Sequence, residues 1–174
     1  GAPPWMMLTH WDLDHRGGLE SLNYVTRIGC VAAPPMPEKR IQISVALAKL
    51  VSSPTSCVPF PIALIDQRTR TGRPRPNGTM LGIAVPIQQR ALYVNLGDAN
   101  ARGELELWAG LRTQLDDRAS RLTTLKLSHH GSKTSSSLEL LQNIQPTYTW
   151  ISAGIHNRYG HPHKQVTKVL ESSN

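Results

Sequence analysis

The chain has 174 residues, enough for one domain with a hydrophobic core. Hydrophobic residues make up 39% and charged ones 18%, both ordinary for a soluble globular protein. The net charge of +7 suits an anionic partner such as nucleic acid, while 5% aromatics argues against a wide base-stacking surface. No run reaches the roughly 18 uninterrupted apolar residues of a membrane span. The start, GAPPWMMLTH, lacks the basic and apolar regions of a signal peptide, so the chain as given is expected to be soluble. Cys30 and Cys57 lie in apolar or Pro-rich surroundings without framework spacing, and both are expected to be buried free thiols.

In chain order, Trp5, Met6, Met7 and Leu8 predict a short buried strand that runs into a polar loop at His10. Gly17-Gly18 opens a helix over 19–25, and the Pro-rich 33–37 excludes regular structure. Residues 41–51 are apolar, with alanines and leucines that favour helix. A strand over 62–65 precedes the basic stretch 67–78, whose Pro and Gly residues predict a loop carrying Arg68, Arg70, Arg73 and Arg75. Period-two patterns predict strands over 79–87 and 90–96, the second ending in Gly97-Asp98. Helical spacing of Leu107, Trp108, Leu111 and Leu115 predicts a helix over 104–115. A strand over 123–128 leads into His129-His130-Gly131. A helix over 136–144 is opened by a Ser136/Glu139 capping box and closed by Pro146. A strand over 147–152 and a helix around 166–170 complete the alternation.

Three polar loops at strand ends carry the chemistry. The first is Thr9-His10-Trp11-Asp12-Leu13-Asp14-His15-Arg16-Gly17-Gly18. Its four candidate ligands, His10, Asp12, Asp14 and His15, do not share a helix face; they suit a tight loop after a strand. Carboxylate oxygen and neutral imidazole nitrogen bind hard or borderline divalent cations. Asp98, alone, reads as a turn residue; in a two-metal site its two oxygens suit a bridge. His129 and His130 precede a glycine turn. Strand alternation puts His129 on the face of Leu125 and Leu127, so His129 is taken as a ligand and His130 as the proton donor. Ser132 and Lys133 approach a helix N-terminus, where hydroxyls, a lysine and free N–H groups suit a phosphate. In the last loop, His156, His161 and His163 offer one more ligand, and Asn157, Arg158 and Tyr159 offer contacts to an anionic substrate.

The order HxDxDHxGG, GD, SHHGSKTS and SxGxxNRYGHP resembles the metallo-β-lactamase superfamily, most of all the ComEC-like branch of competence (DNA-internalisation) proteins. The resemblance implies an α/β fold, an αββα sandwich with two divalent metal ions, zinc or manganese, at one edge. It implies that His10, Asp12, a histidine of the HHG pair and Asp98 hold one ion, and that Asp14, His15, Asp98 and His161 hold the other. Asp12 replaces a histidine common in the superfamily, which hardens the site and keeps manganese beside zinc. The superfamily normally adds strands before the first motif and after the last helix. The chain, taken as a single domain over 1–174, is therefore expected to be a partial one from a longer protein, with a membrane channel portion elsewhere in that parent and the soluble piece outside the cytoplasm.

The expected activity is hydrolysis by metal-activated water, with Asp14 and His130 in the catalytic machinery. The favoured substrate is a phosphodiester, single-stranded DNA above all, which makes the chain a nuclease of DNA uptake. A second expectation is a small ester, lactone or phosphocholine-type substrate on the same fold. A third is an inactive fragment that binds DNA or a partner.

Overall fold

A computed structural model describes residues 4–37, 41–52, 54–68, 74–87, 90–115 and 122–172. Strand β1 (Trp5–Met7) pairs in parallel with β2 (Cys30–Ala32), which pairs in parallel with β3 (Val51–Ser52). The helices of this half are short: α1 (Leu13–Arg16), α2 (Leu19–Thr26), α3 (Val45–Ala48) and α4 (Pro54–Cys57). The second sheet runs β4 (Ile62–Arg68), β5 (Pro74–Ile87), β6 (Ala91–Asn95), β7 (Leu122–Lys126), β8 (Tyr148–Trp150) in that spatial order. Strands β4, β5 and β6 are antiparallel, whereas β6, β7 and β8 are parallel. Parallel neighbours need crossovers. Helix α5 (Ala101–Arg112) supplies one and α6 (Leu138–Ile144) the next, while α7 (Lys164–Ser172) follows β8.

The period of two along the strands sorts side chains into layers. Ala84 of β5, Leu92 and Val94 of β6 and Leu125 of β7 pack against Leu107 and Leu111 of α5 and Leu140, Leu141 and Ile144 of α6. The opposite face carries Ile83 and Val85, which meet Met7 and Ala32 of the first sheet. On that sheet's other face, Met6 and Val31 join Leu19 of α2 and Leu47 of α3. Helices, sheet, sheet and helices thus succeed one another in a mixed α/β molecule. None of the described helices is long and apolar enough to cross a membrane.

Four local expectations change. Cys30 and Cys57 are not free thiols but a disulfide, with Cα atoms 5.8 Å apart. Packing of α4 against β2 brings them together, a long-range contact that the spacing of two cysteines does not disclose. The basic stretch is less of a loop than its prolines suggest, because β4 runs to Arg68 and β5 starts at Pro74. Pairing with β6 begins only at Ile83, so Pro74 and Pro76 lie where no N–H is needed on that side. Thr69 to Arg73, including Arg70 and Arg73, lie outside the described residues. In the apolar 41–51 stretch only Val45–Ala48 is helical, capped by Ser44, whose side chain accepts from Leu47 N–H. Finally, α6 is capped by Ser137, which accepts from Leu140 N–H, rather than by Ser136. Ser136 has φ +56° and gives its N–H to a buried carboxylate.

Candidate metal centre

The site gathers at the C-terminal ends of β1, β6, β7 and β8, where parallel strands leave loops free to carry polar groups. The chain leaves β1 through Thr9 and His10, and α1 then carries Asp14 and His15. Asp98 follows β6 at a turn in which Gly97 has φ +61°. His129 and His130 occupy a 3-10 turn (Ser128–Gly131) after β7, and His161 lies in the loop after β8, before the cis-peptide to Pro162.

Asp98 is the meeting point. Its Oδ2 lies 3.7 Å from His10 Nε2 and 3.7 Å from His130 Nε2, and its Oδ1 lies 3.3 Å from His15 Nε2. Asp12 Oδ2 is 3.4 Å from His10 Nε2, and Asp14 Oδ2 is 3.3 Å from His130 Nε2. Asp14, His15, Asp98 and His130 each offer one ligand atom, all within 4.8 Å of one another, a group able to hold a metal ion. His10 Nε2, His15 Nε2, His130 Nε2 and Asp98 Oδ1 are all buried and have no hydrogen-bond partner of good geometry. Buried polar groups are nearly always satisfied, so four such atoms facing one another make a group that could hold a metal ion. His130 is held from behind, its Nδ1 donating to the Ser152 carbonyl at 2.6 Å, which in the neutral ring leaves Nε2 as the acceptor.

The electrostatics follow from burial and crowding. Burial, then the neighbouring His15, lowers the His10 pKa from 6.5 to about 4, so this imidazole is neutral at neutral pH. Burial acts to raise the Asp98 pKa, but a weak hydrogen bond with the His15 ring, 3.3 Å away, and the charges of His15, His10 and His130 outweigh it and hold the carboxyl well below its usual range. Burial, then Asp14 and Asp98, pushes the Asp12 carboxyl up. His161 is pulled down by burial and by His163, His129 and His130.

A cleft of about 890 Å³ opens over the group, lined among others by Asp12, Asp14, His129, His130, Tyr159 and His161. His129 is therefore at the cleft, while His130 is the histidine that joins Asp14, His15 and Asp98. Alternation along a strand does not extend this far: β7 ends at Lys126, and His129 and His130 both adopt left-handed backbone, φ +48° and +55°. Such conformations cost about 1–3 kcal/mol each and persist where surrounding structure enforces them.

The expected substrate contacts are differently placed. Asn157 lines the cleft, but its amide donates to the Gly154 and His161 carbonyls and accepts from His161 N–H, so it braces its own loop. The Ser132 hydroxyl is buried beside Thr134, and Lys133 N–H donates to His163 Nδ1. Arg158 is exposed and leans on Tyr159, donating to its hydroxyl at 2.6 Å. Among the described residues that line the cleft, Ser132, Lys133 and Arg158 are absent.

Three supports of the centre are not evident from the sequence alone: Thr9, the Ser152 carbonyl and Glu104. The Glu104 carboxylate is fully buried and accepts Ser136 N–H at 2.8 Å on each oxygen. Burial raises its pKa, opposed by Ser128, Ser136 and Ser137 around it. It ties α5 to the loop that carries His130. The signal was present, since Glu104 shares the helical stripe of Leu107, Trp108 and Leu111.

No protein-family model matches the chain. Three curated proteins do. Over 79 residues, 45% of the chain and 9% of the relative, it is 51% identical to ComE operon protein 3 of Bacillus subtilis. Over 169 residues, 92% of the chain and 21% of the relative, it is 28% identical to Competence protein ComA of Neisseria gonorrhoeae. Over 74 residues, 42% of the chain and 8% of the relative, it is 36% identical to Recombination protein 2 of Haemophilus influenzae. The chain thus spans about a fifth or less of the length of these relatives. The similarity supports kinship with competence proteins.

Proposed function

We propose that this chain carries the metal-dependent hydrolytic centre of a competence protein and that it cleaves phosphodiesters, single-stranded DNA foremost. The observation that carries the reading is the convergence of His10 Nε2, His15 Nε2, His130 Nε2 and Asp98 Oδ1, buried and without a hydrogen bond of good geometry. Left uncompensated, each would cost about 1–3 kcal/mol. His10, Asp12 and Asp98 would hold one divalent ion, and Asp14, His15, Asp98 and His130 a second, with Asp98 shared. Nitrogen and carboxylate donors suit zinc or manganese. Bound ions supply Lewis acidity, which acidifies water and offsets negative charge on the reacting group.

The chain's own residues account for the rest. Asp14 and His130, 3.3 Å apart, close the side of the centre that faces the cleft. His129, at the cleft and outside the four-residue group, is assigned to proton delivery to the leaving oxygen. Water adds across one P–O bond, which leaves a phosphate monoester on one product and a hydroxyl on the other. The layering of helices and sheets and the motif order both support the metallo-β-lactamase reading. The relatives named for competence support a role in DNA uptake, and the +7 charge suits an anionic substrate such as DNA. The Cys30–Cys57 disulfide supports an oxidising compartment, hence an extracytoplasmic location for this domain.

The test is cleavage of labelled single-stranded DNA by the chain with manganese or zinc, beside Asp98→Asn. The expected result is metal-dependent cleavage, reduced by more than about 100-fold in the variant, since ligand loss exceeds the effect of losing an outer hydrogen bond. Turnover of a lactone, thioester or phosphocholine ester without DNA cleavage would overturn the substrate and keep the hydrolase. Metal binding with no turnover of any of these would overturn the enzyme.

A further inference from the structure

The two histidines of the first motif share one support. Thr9 Oγ1 lies 3.0 Å from His10 Nδ1 and 3.3 Å from His15 Nδ1. Both rings turn their other nitrogen, Nε2, toward Asp98, at 3.7 Å and 3.3 Å. A hydroxyl oxygen has two lone pairs and one proton. It can therefore accept from two Nδ1–H groups at once, and each ring protonated there presents a bare Nε2 to the centre. The opposite tautomer would aim N–H at the position a cation needs and close it.

Thr9 is itself fixed. Its carbonyl accepts Leu81 N–H at 2.8 Å, which ties it to β5. On its other side stands Gly97, where a Cβ would come within 2.9 Å of Thr9 Cβ and 3.2 Å of Oγ1. Thr9 is buried, so water does not compete for its oxygen. The third imidazole, His130, is set by a carbonyl, Ser152, which can only accept. By accepting from both rings, one side-chain oxygen would do for two imidazoles what that carbonyl does for one.

We propose that Thr9 is a positioning residue that fixes His10 and His15 together in the Nδ1–H tautomer, with both Nε2 lone pairs aimed into the centre. The proposal rests on the metal reading for its purpose, but the tautomers are measurable without metal. The experiment compares the wild-type chain with Thr9→Val, which keeps the shape and removes the acceptor, and Thr9→Ser, which restores it. Long-range nitrogen–proton correlation spectra in mildly alkaline buffer report the tautomer of each ring, and competition titration reports zinc affinity.

The expected result is Nδ1–H at both rings in wild type and Thr9→Ser, a mixture in Thr9→Val, and zinc affinity about 10–100-fold weaker in Thr9→Val alone. Nδ1–H at both rings in a folded Thr9→Val, or Nε2–H at either ring in wild type, overturns the proposal. The wild-type and Thr9→Ser spectra decide it if Thr9→Val does not fold. Correct tautomers in a wild type that takes up no zinc would leave Thr9 as the positioning residue and overturn the metal reading instead.

Discussion

Asp98 shows how one residue's role depends on its neighbours. In sequence it is a Gly-Asp turn; in space its two oxygens face His15 on one side and His10 and His130 on the other. The run His10, Asp12, Asp14, His15 was visible because its ligand types crowd into one loop. Thr9 and the Ser152 carbonyl were not, because their contributions pass through another residue's ring. The choice between His129 and His130 turned on backbone that left the strand early, and left-handed φ at two histidines has no marker in a lone sequence. Glu104 gives a prediction at this scale. Glu104→Ala leaves buried N–H groups of the His130 loop without an acceptor and is expected to lower unfolding free energy by about 3 kcal/mol. Glu104→Gln, which keeps one acceptor, should cost clearly less. Urea denaturation of both checks this, and equal losses would remove the carboxylate from its supporting role.

Elements with strong periodicity, β5, β6, α5 and β7, were readable because their core faces obey it. The first half was harder: its helices are mostly single turns, fixed by contacts between distant segments. The disulfide is the clearest case, since only the packing of α4 on β2 brings Cys30 to Cys57. Closing a loop across a sequence separation of 27 should contribute about 3–4 kcal/mol through the unfolded chain. Cys30→Ser with Cys57→Ser, or reduction of the native protein, should lower stability by that order in chemical denaturation; identical midpoints with and without reductant would contradict the cross-link. The turn that carries the two histidines is equally exposed to change. Gly131 has φ +80°, and an added Cβ would lie 2.7 Å from Pro162 Cβ. Gly131→Ala is expected to cost at least about 1–2 kcal/mol from left-handed backbone alone. It should also displace the His161 loop, readable as shifts of the His129 and His161 resonances. A variant as stable as wild type would show that the turn is not confined by Pro162.

Across the whole molecule, two sheets and their flanking helices hold the loop ends together, and the buried charges there set the response to acid. His10 has its pKa lowered from 6.5 to about 4 by burial and by His15. The unfolded chain therefore takes up a proton on His10 as pH falls below 6.5, while the folded metal-free chain resists until about 4. Stability present above that window is lost as pH falls through it, by about 3 kcal/mol. Asp98, held low when folded, adds a further loss in more acidic solution. Thermal melting of metal-free protein should fall steadily from neutral pH to pH 4, and His10→Gln should flatten that slope. The metal content of the folded chain is the decisive quantity. Elemental analysis after equilibration with zinc or manganese and removal of free ions should find close to a pair of ions per chain, and none retained by Asp98→Ala. A folded wild type that retains neither metal would contradict a hydrolytic centre built on His10, Asp12, Asp14, His15, Asp98 and His130.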